Sequence, residues 1–428
     1  MKNTKIALAA FGALMVSTSA HAAGFYIQEQ SVSAGGAAYA GAASNTKDAS
    51  TIFFNSSGMT KLDGAQGNLG VQLLIPDGKL DNQGSNFPGL GGAAISGGDG
   101  GNPYDPTPVP SVYVATPVSA VDGLWVGLGV SAPFGLANQY DSDYFGRFDS
   151  IKTELLTMDI QPSVAYKIND RISIGGGLNF QKADANLINV VRDNTSEGTS
   201  QLKGDDWGYG YNLGAQIEIL PSTTLGLNYR SSIHYDLEGE TRVTGLTGLG
   251  AGANGITDAH ASLVTPDIAS IGLSHDIDSK WTVMGQANWM GWNNFGAIAA
   301  ISDATGATLT SVQQNYQTVW SYALGAEYHY SPEWTFRGGI QYDNTPTTDE
   351  FRTTRTPDGD RTWFSTGATY KINDRLSIDG LLTYIHIADE EIDVTRGAGG
   401  ALNALRQDIN ADTEGSVGIV GLGLNYKF

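Results

Sequence analysis

The sequence contains no cysteine, relatively few basic residues and, beyond its N-terminus, no long hydrophobic run. Without cysteine, disulfides cannot hold the 428 residues together, so strand pairing and packing must do so. The 24 lysines and arginines are outnumbered by 44 aspartates and glutamates, which disfavours nucleic acid as a partner. Without about 18 consecutive apolar residues, a transmembrane helix is excluded after the N-terminus. A soluble all-β protein or a membrane β-barrel remains possible.

The first 22 residues have the pattern of a secretory signal. Lys2 and Lys5 precede an apolar run from Ile6 to Val16, and the small residues Ala20 and Ala22 follow it. The run is too short for a membrane anchor, so residues 1–22 are predicted to be a signal peptide that is removed on export.

Large apolar residues alternate with small or polar ones in many segments. The chain ends in GIVGLGLNYKF, and WGYGYNLGAQIEI (207–219), SYALGAEYHY (321–330) and WTFRGGIQYD (334–343) follow the same pattern. A period of two places each set on its own face of a strand. Glu327 and Arg337 lie mid-strand opposite apolar faces, which is rare in a sandwich core but suits a barrel with a wet interior and a lipid-facing exterior.

Six short connections alternate with seven long ones. The short connections, rich in the Asp, Asn, Ser and Pro of tight turns, are 117–124, 167–173, 220–225, 276–281, 330–335 and 371–377. The long connections, rich in Gly, Asp and Thr, are 77–108, 134–153, 184–205, 232–262, 293–317, 344–360 and 388–413. We therefore predict an all-β fold: a 14-stranded antiparallel transmembrane β-barrel whose last strand closes against the first.

About forty residues after the signal fit no strand. They are small and glycine-rich, and they include the run AGGAAYAG (34–41) and the pair Phe53-Phe54. A disordered periplasmic tail is the alternative, but such tails are richer in charge and proline and poorer in aromatics. We predict that residues 23–65 form a hatch that plugs the lumen and that residues 66–428 form the barrel.

Several short motifs occur in the order found in one family of outer-membrane transporters. In the predicted hatch they are Gly24-Phe25, Glu29, Ser31, AGGAAYAG, Asp48-Ala49-Ser50, Asn55 and Gly58-Met59. In the predicted barrel they are SAPFG (131–135), WGYGYN (207–212), NYRS (228–231), FRGGIQYD (336–343), PDGDR (357–361) and LTYIH (382–386). The series resembles the FadL/TodX family, transporters of long-chain fatty acids and other hydrophobic compounds. The resemblance implies a bacterial outer-membrane monomer among lipid and lipopolysaccharide, with a hydrophobic small-molecule ligand, a mobile hatch and lateral release through a kink in strand three.

Two departures from the family pattern bear on the ligand and the hatch. Family hatches commonly read Asn-Pro-Ala where this chain has Asn55-Ser56-Ser57, so the hatch backbone is expected to be less rigid there. Fatty-acid transporters of the family carry basic residues leading into strand ten, whereas YQTVWS (316–321) has no cation. This absence favours a neutral hydrocarbon or aromatic ligand over a fatty acid.

The resemblance suggests candidate ligand contacts in the hatch and in the loops. The apolar candidates are Phe25, Ile27, Phe53, Phe54, Phe134, Leu136, Phe145 and Phe148. The candidate partners of a ligand carboxylate are Arg147, Lys152 and Arg192. The candidate gating residues are Gly127, Gly129, Pro133, Gly135 and Asn55. Proline cannot donate to a strand ladder and glycine tolerates a bend, although ordinary close packing also explains the glycines.

Other chemistry has little support in the sequence. The mature histidines are scattered, no His/Cys metal-ligand spacing or cofactor motif occurs, and catalysis is not expected. The acidic cluster at 389–393 has the residue types of a Ca²⁺ site, but a solvated loop is the favoured interpretation, so no metal is expected. Two other functional classes remain open, a general diffusion porin and a surface receptor or adhesin. A porin would keep its lumen open, and a receptor would use the long loops alone.

Overall fold

The computed structural model describes residues 24–396 and 406–428. The predicted signal peptide, 1–22, lies outside the described residues. The helices among them are all short, and none is long and apolar enough to cross a membrane. They are α1 (Val32–Gly35), α2 (Thr51–Phe54) and the 3₁₀ segments Ser56–Lys61, Pro88–Leu90, Ala251–Ala253 and Trp292–Asn294.

One antiparallel sheet closes on itself to form the wall, and it contains fourteen strands, five of which are each split into two segments. The first wall strand is β1 (Gln66–Asn82), and the loop after it contains a small separate hairpin of β2 (Asn86–Phe87) and β3 (Ala93–Ala94). The wall continues with β4 (Thr107–Pro117), β5 (Leu124–Ser131) with β6 (Gly135–Gln139), β7 (Lys152–Lys167), β8 (Ile172–Arg192) and β9 (Glu197–Leu220). The next are β10 (Thr223–Arg230) with β11 (His234–Thr244), β12 (Gly255–Val264) with β13 (Ile268–Asp276), β14 (Trp281–Met290) with β15 (Ala297–Ser302) and β16 (Thr308–Gln313) with β17 (Val319–His329). The last are β18 (Trp334–Asp343), β19 (Arg361–Lys371), β20 (Leu376–Val394) and β21 (Ile409–Lys427).

The C-terminal strand closes the barrel. β21 pairs with β1 from Gln66 opposite Lys427 to Asn82 opposite Ala411, and the Phe428 N–H donates to the Ala65 carbonyl at 2.9 Å. Leu422 and Leu424 are exposed on its outer face. The prediction of a closed, 14-stranded antiparallel barrel is therefore confirmed.

Two segments predicted to be long loops are mostly strand. β8 and β9 stay in one unbroken register from Ile172 opposite Ile217 to Arg192 opposite Glu197, which replaces the predicted loop 184–205. β11 and β12 likewise occupy most of 232–262. The prediction of loops there was wrong because a hairpin that projects beyond the lipid needs no apolar outer face and so shows no period of two.

Residues 24–65, called the hatch from here on, lie inside the barrel and are almost entirely buried. Wall side chains form hydrogen bonds to the hatch backbone. Tyr113 of β4 donates to the Gln30 carbonyl at 3.1 Å, and Gln161 of β7 donates to the Ile52 carbonyl at 2.6 Å. Small residues permit this approach, since a Cβ on Gly339 of β18 would come within 2.2 Å of the Ala37 carbonyl oxygen. Much of the apolar core thus lies between the hatch and the inner wall.

Candidate ligand pathway

The third wall strand is broken at residues 132–134, between β5 and β6. Ser131 pairs with Asp159 of β7 and Gly135 pairs with Leu156, so three residues on the broken strand oppose two on β7. This one-residue surplus is a bulge, which bends a strand and interrupts its ladder. Of the predicted gating residues, Pro133 lies in the break and Gly135 begins β6.

The ladder between β4 and the third strand ends at the same level. β4 pairs with β5 as far as Val112 opposite Val130, and within the described residues β6 pairs with β7 but not with β4. Pro108 and Pro110 lie in the stretch of β4 beyond this point and carry no N–H. Proline is tolerated on edge strands, so this part of β4 behaves as an edge beside a gap in the wall.

The start of the hatch is hydrogen-bonded to the broken strand. The Ile27 N–H donates to the Pro133 carbonyl at 2.8 Å, and the Gly135 N–H donates to the Phe25 carbonyl at 2.9 Å. A Cβ on Gly135 would lie 2.8 Å from Cδ1 of Ile27, so glycine permits this contact. The hatch must release these bonds before it can move away from the break.

Gly127 and Gly129, the other predicted gating glycines, lie within the regular part of β5. A Cβ on Gly127 would come within 2.6 Å of Cδ1 of Ile52, and one on Gly129 would lie 3.3 Å from its Cγ2. These two positions therefore allow α2 of the hatch to pack closely on the wall.

Phe25 lies in an aromatic cluster beside the break. Its ring centroid is 6.0 Å from Phe134, 4.6 Å from Trp292 and 5.2 Å from Phe295. Trp292 and Phe295 come from the interruption between β14 and β15, and Tyr316, 4.9 Å from Phe295, comes from the next one, between β16 and β17. Split strands thus turn aromatic residues into the lumen.

An apolar cavity lies beside this cluster. We call it the chamber. It is lined by the leucines Leu136, Leu155, Leu187, Leu202, Leu237 and Leu263, together with Phe25, Phe295, Ile298 and Arg355. Phe25 and Leu136 line the chamber. Leu136 is two residues after the break, and the Phe25 carbonyl accepts from the Gly135 N–H, so the chamber and the break are adjacent.

The family can now be assigned. The family model described as "Outer membrane protein transport protein (OMPP1/FadL/TodX)" matches residues 13–428. The chain belongs to this family. Together with the barrel, this confirms the bacterial outer membrane as its location.

Relatives and solved structures agree with the assignment. The chain is 29% identical to the "Long-chain fatty acid transport protein" of Escherichia coli O6:H1 over 462 residues, covering 99% of this chain and 98% of the relative. It is 28% identical to "Outer membrane protein P1" of Haemophilus influenzae, with both chains fully covered. A Pseudomonas aeruginosa FadL homologue superposes with a TM-score of 0.87 at 23% identity, covering 95% of this chain and all of that one. The Pseudomonas putida toluene transporter TodX superposes at 0.71 with 16% identity and the same coverage. At these identities the two structures establish the fold alone.

The other hatch candidates lie apart from the chamber of this FadL/TodX family member. Ile27, Phe53 and Phe54 belong to the core formed by the hatch and the wall. Phe53 and Phe54 border a smaller cavity with Tyr26, and the Arg230 guanidinium lies 4.5 Å above the Phe53 ring. Asn55 bonds the hatch to β9 and β10.

The remaining loop candidates lie away from Phe134 and Leu136. Phe145 packs with Tyr140 and Tyr144, and Phe148 lies 5.0 Å from Phe87. Among the basic candidates, Arg147 makes two bonds to the Glu197 carboxylate and Lys152 lies 2.8 Å from Glu154. Arg192 lies 4.7 Å above the Phe87 ring. The roles proposed for these residues stay predictions.

Sequence reasoning missed several residues of the pathway. Phe295 and Tyr316 fell within a predicted loop, Trp292 lay just before it, and Arg355 fell within another. The run Thr-Pro-Val-Pro at 107–110 is a signal of an edge strand that the sequence did offer. No local pattern marks the aromatic residues, because their cluster combines residues from three separate interruptions of the wall with a residue of the hatch.

Proposed function

We propose that this protein carries long-chain hydrophobic molecules, fatty acids or hydrocarbons, across the outer membrane as a transporter and not as an enzyme. The observation that carries the proposal is the leucine-lined chamber, which is adjacent to the gap between β4 and β6 and is lined by Phe25, a hatch residue hydrogen-bonded to Gly135 of β6. The E. coli relative named for long-chain fatty acid transport supports it, as does the family model, whose description names both FadL and TodX.

The apolar route has an energetic reason. Moving a CH₂ group from an apolar environment into water costs about 0.8 kcal/mol, so a sixteen-carbon chain released into a watery pore would lose on the order of 10 kcal/mol. A ligand that enters the chamber from the loops avoids this cost if it leaves sideways into lipid. The hatch bonds at Pro133 and Gly135 then break, and the gap beside β4 opens.

The surroundings of the barrel complete the proposal. The wall is closed between β1 and β21, so it has no free sheet edge there for a second copy to pair with, which supports a monomer. Outer-membrane lipid receives the ligand, and lipopolysaccharide surrounds the long loops.

Deleting Pro133 tests the route. The deletion removes the residue that is in surplus over β7, so β5 and β6 can join in one register and close the gap. We expect uptake of a labelled long-chain fatty acid to fall strongly in cells that lack other transporters of this family, while the purified barrel still binds the compound. The matched control, Pro133→Ala, keeps the residue count and should keep most of the uptake. Undiminished uptake by the deletion variant, shown to be folded by its heat-dependent gel migration, would contradict lateral release.

A further inference from the structure

Arg355 is a buried cation at the edge of an apolar chamber. It lies in the segment between β18 and β19, and only 4% of its surface is exposed. Two other charged residues border the chamber, but Lys203 is exposed and the Glu154 carboxylate is paired with Lys152 at 2.8 Å. Arg355 is therefore the candidate for a charge that a bound ligand would meet.

The guanidinium of Arg355 has only weak, neutral partners. It donates to the Lys152 carbonyl, the Thr153 hydroxyl and the Asn189 side-chain oxygen, each at 3.4 Å. Within the part of the chain that the structure describes, it forms no ion pair. By contrast, the neighbouring buried Arg352 pairs with Asp349 at 2.6 Å and with Glu390 at 3.2 Å.

Asp149 acts electrostatically on Arg355 from a distance, but its carboxylate already binds other residues. Its carboxylate bonds Arg396 and accepts from the Thr354 hydroxyl at 2.7 Å. Burial alone would raise the pKa of Asp149, but the guanidiniums of Arg396 and Arg355 hold it below its usual range. Asp149 therefore stays ionised without forming an ion pair with Arg355.

A buried charge without an ionic partner is costly, and a guanidinium binds a carboxylate through two parallel hydrogen bonds. The backbone around Arg355 is held in place, since Asn138 donates to its carbonyl at 2.8 Å and Tyr140 donates to that of Thr354 at 2.9 Å. The cation is thus positioned before any ligand arrives, and an anionic ligand would supply the partner that the protein does not.

We propose that Arg355 binds the carboxylate of a ligand whose alkyl chain occupies the chamber, so that long-chain carboxylic acids are preferred over neutral hydrocarbons. This rests on the proposed function and names its substrate class. Arg355 supplies, from the segment before β19, the positive charge that residues 316–321 lack.

The test compares two ligands of equal chain length, myristic acid and tetradecanol. Binding is measured on the full barrel in an uncharged detergent, at a pH where the free acid is ionised. We expect wild type to prefer the acid, and Arg355→Met to lose about ten- to a hundred-fold of its acid affinity while it still binds the alcohol. Arg242→Met is the matched control, because Arg242 is an exposed residue of β11 paired with Glu240. It should keep the preference.

Two further readouts separate a charge effect from a folding defect. In wild type the preference should shrink when the acid is protonated at low pH, and Arg355→Lys should keep part of it.

Equal affinities for acid and alcohol in wild type, or an acid preference kept by Arg355→Met, would overturn the role of Arg355 and leave the transport proposal intact. Binding of neither compound to wild type would instead contradict the proposed function. If Arg355→Met binds neither compound, Arg355→Gln decides: a retained acid preference overturns the proposal, and its loss with the alcohol still bound supports it.

Discussion

Asn55 shows how a single side chain can hold the hatch to the wall. Its amide donates to the carbonyls of Ala43 at 2.8 Å, Ala215 of β9 at 3.1 Å and Leu227 of β10 at 3.2 Å, and its oxygen accepts from the Ser57 hydroxyl at 2.7 Å. Ser56, where the family commonly has proline, places its hydroxyl 3.1 Å from the Asn212 side-chain oxygen of β9. A proline could not make that contact.

At this residue we predict that Asn55→Ala loosens the hatch without unfolding the barrel. Removing the amide leaves buried groups without partners, at about 1–3 kcal/mol. Hatch amides should therefore exchange about ten- to a hundred-fold faster with deuterium. Asn254→Ala is the control, because its side-chain amide bonds only the loop residue Leu246, donating to its carbonyl at 2.7 Å and accepting from its N–H at 3.1 Å. Unchanged protection of the hatch amides from exchange in Asn55→Ala would contradict the role of Asn55 in holding the hatch to the wall.

At the scale of elements, the hatch and three wall strands share a buried ion-pair network. Glu327 of β17 lies opposite Arg337 of β18, and its carboxylate meets both Arg337 and the hatch residue Lys47 at 2.5 Å. Asn45 of the hatch adds a bond to Glu327 at 3.0 Å, and Arg337 lies 3.7 Å from Asp379 of β20. The two mid-strand charges that argued against a sandwich core thus bind each other and the hatch.

We predict that Lys47→Met weakens this end of the hatch. Breaking a buried pair by removing one partner typically costs about 3–5 kcal/mol, and Arg337, which remains beside Glu327, reduces that cost. The melting temperature should fall, and cells should become more sensitive to a large hydrophilic antibiotic. Lys427→Met removes an exposed pair with Asp63 and should have little effect, since such pairs contribute about 0–1 kcal/mol. Indistinguishable behaviour of the two variants would argue against a role of the network in holding the hatch.

At the scale of the whole molecule, the hatch fills the lumen. Residues 24–60 are almost all buried, and the wall contacts them from β4 and β7 as well as from β9, β10 and β17. A closed barrel with such a plug differs from a diffusion channel, in which water and ions pass along the axis.

We therefore predict a small steady conductance for the intact protein in planar bilayers. Removing residues 24–62 should raise it many-fold, because the polar inner face that now contacts the hatch would line open water. Both forms are measured in the same bilayer at the same salt concentration. A large, steady conductance of the intact protein, equal to that of the truncated form, would instead indicate a general porin.

The sequence by itself determined the strand number, the closure of the barrel and which face of the clearly alternating strands meets lipid. These features follow from a period of two and from turn residues, which act over a few neighbouring positions. The same reasoning failed for the hairpins that extend beyond the lipid, where neither face has to be apolar.

Only the tertiary structure decided which residues form the pathway. The hatch pairs with the break at Pro133, aromatic residues from two further interruptions gather around Phe25, and Arg355 reaches a chamber lined by six strands' leucines. Gly24 donates to the Asp358 carboxylate at 3.0 Å across 334 positions of sequence. Contacts over such distances depend on barrel closure, and no local pattern records them.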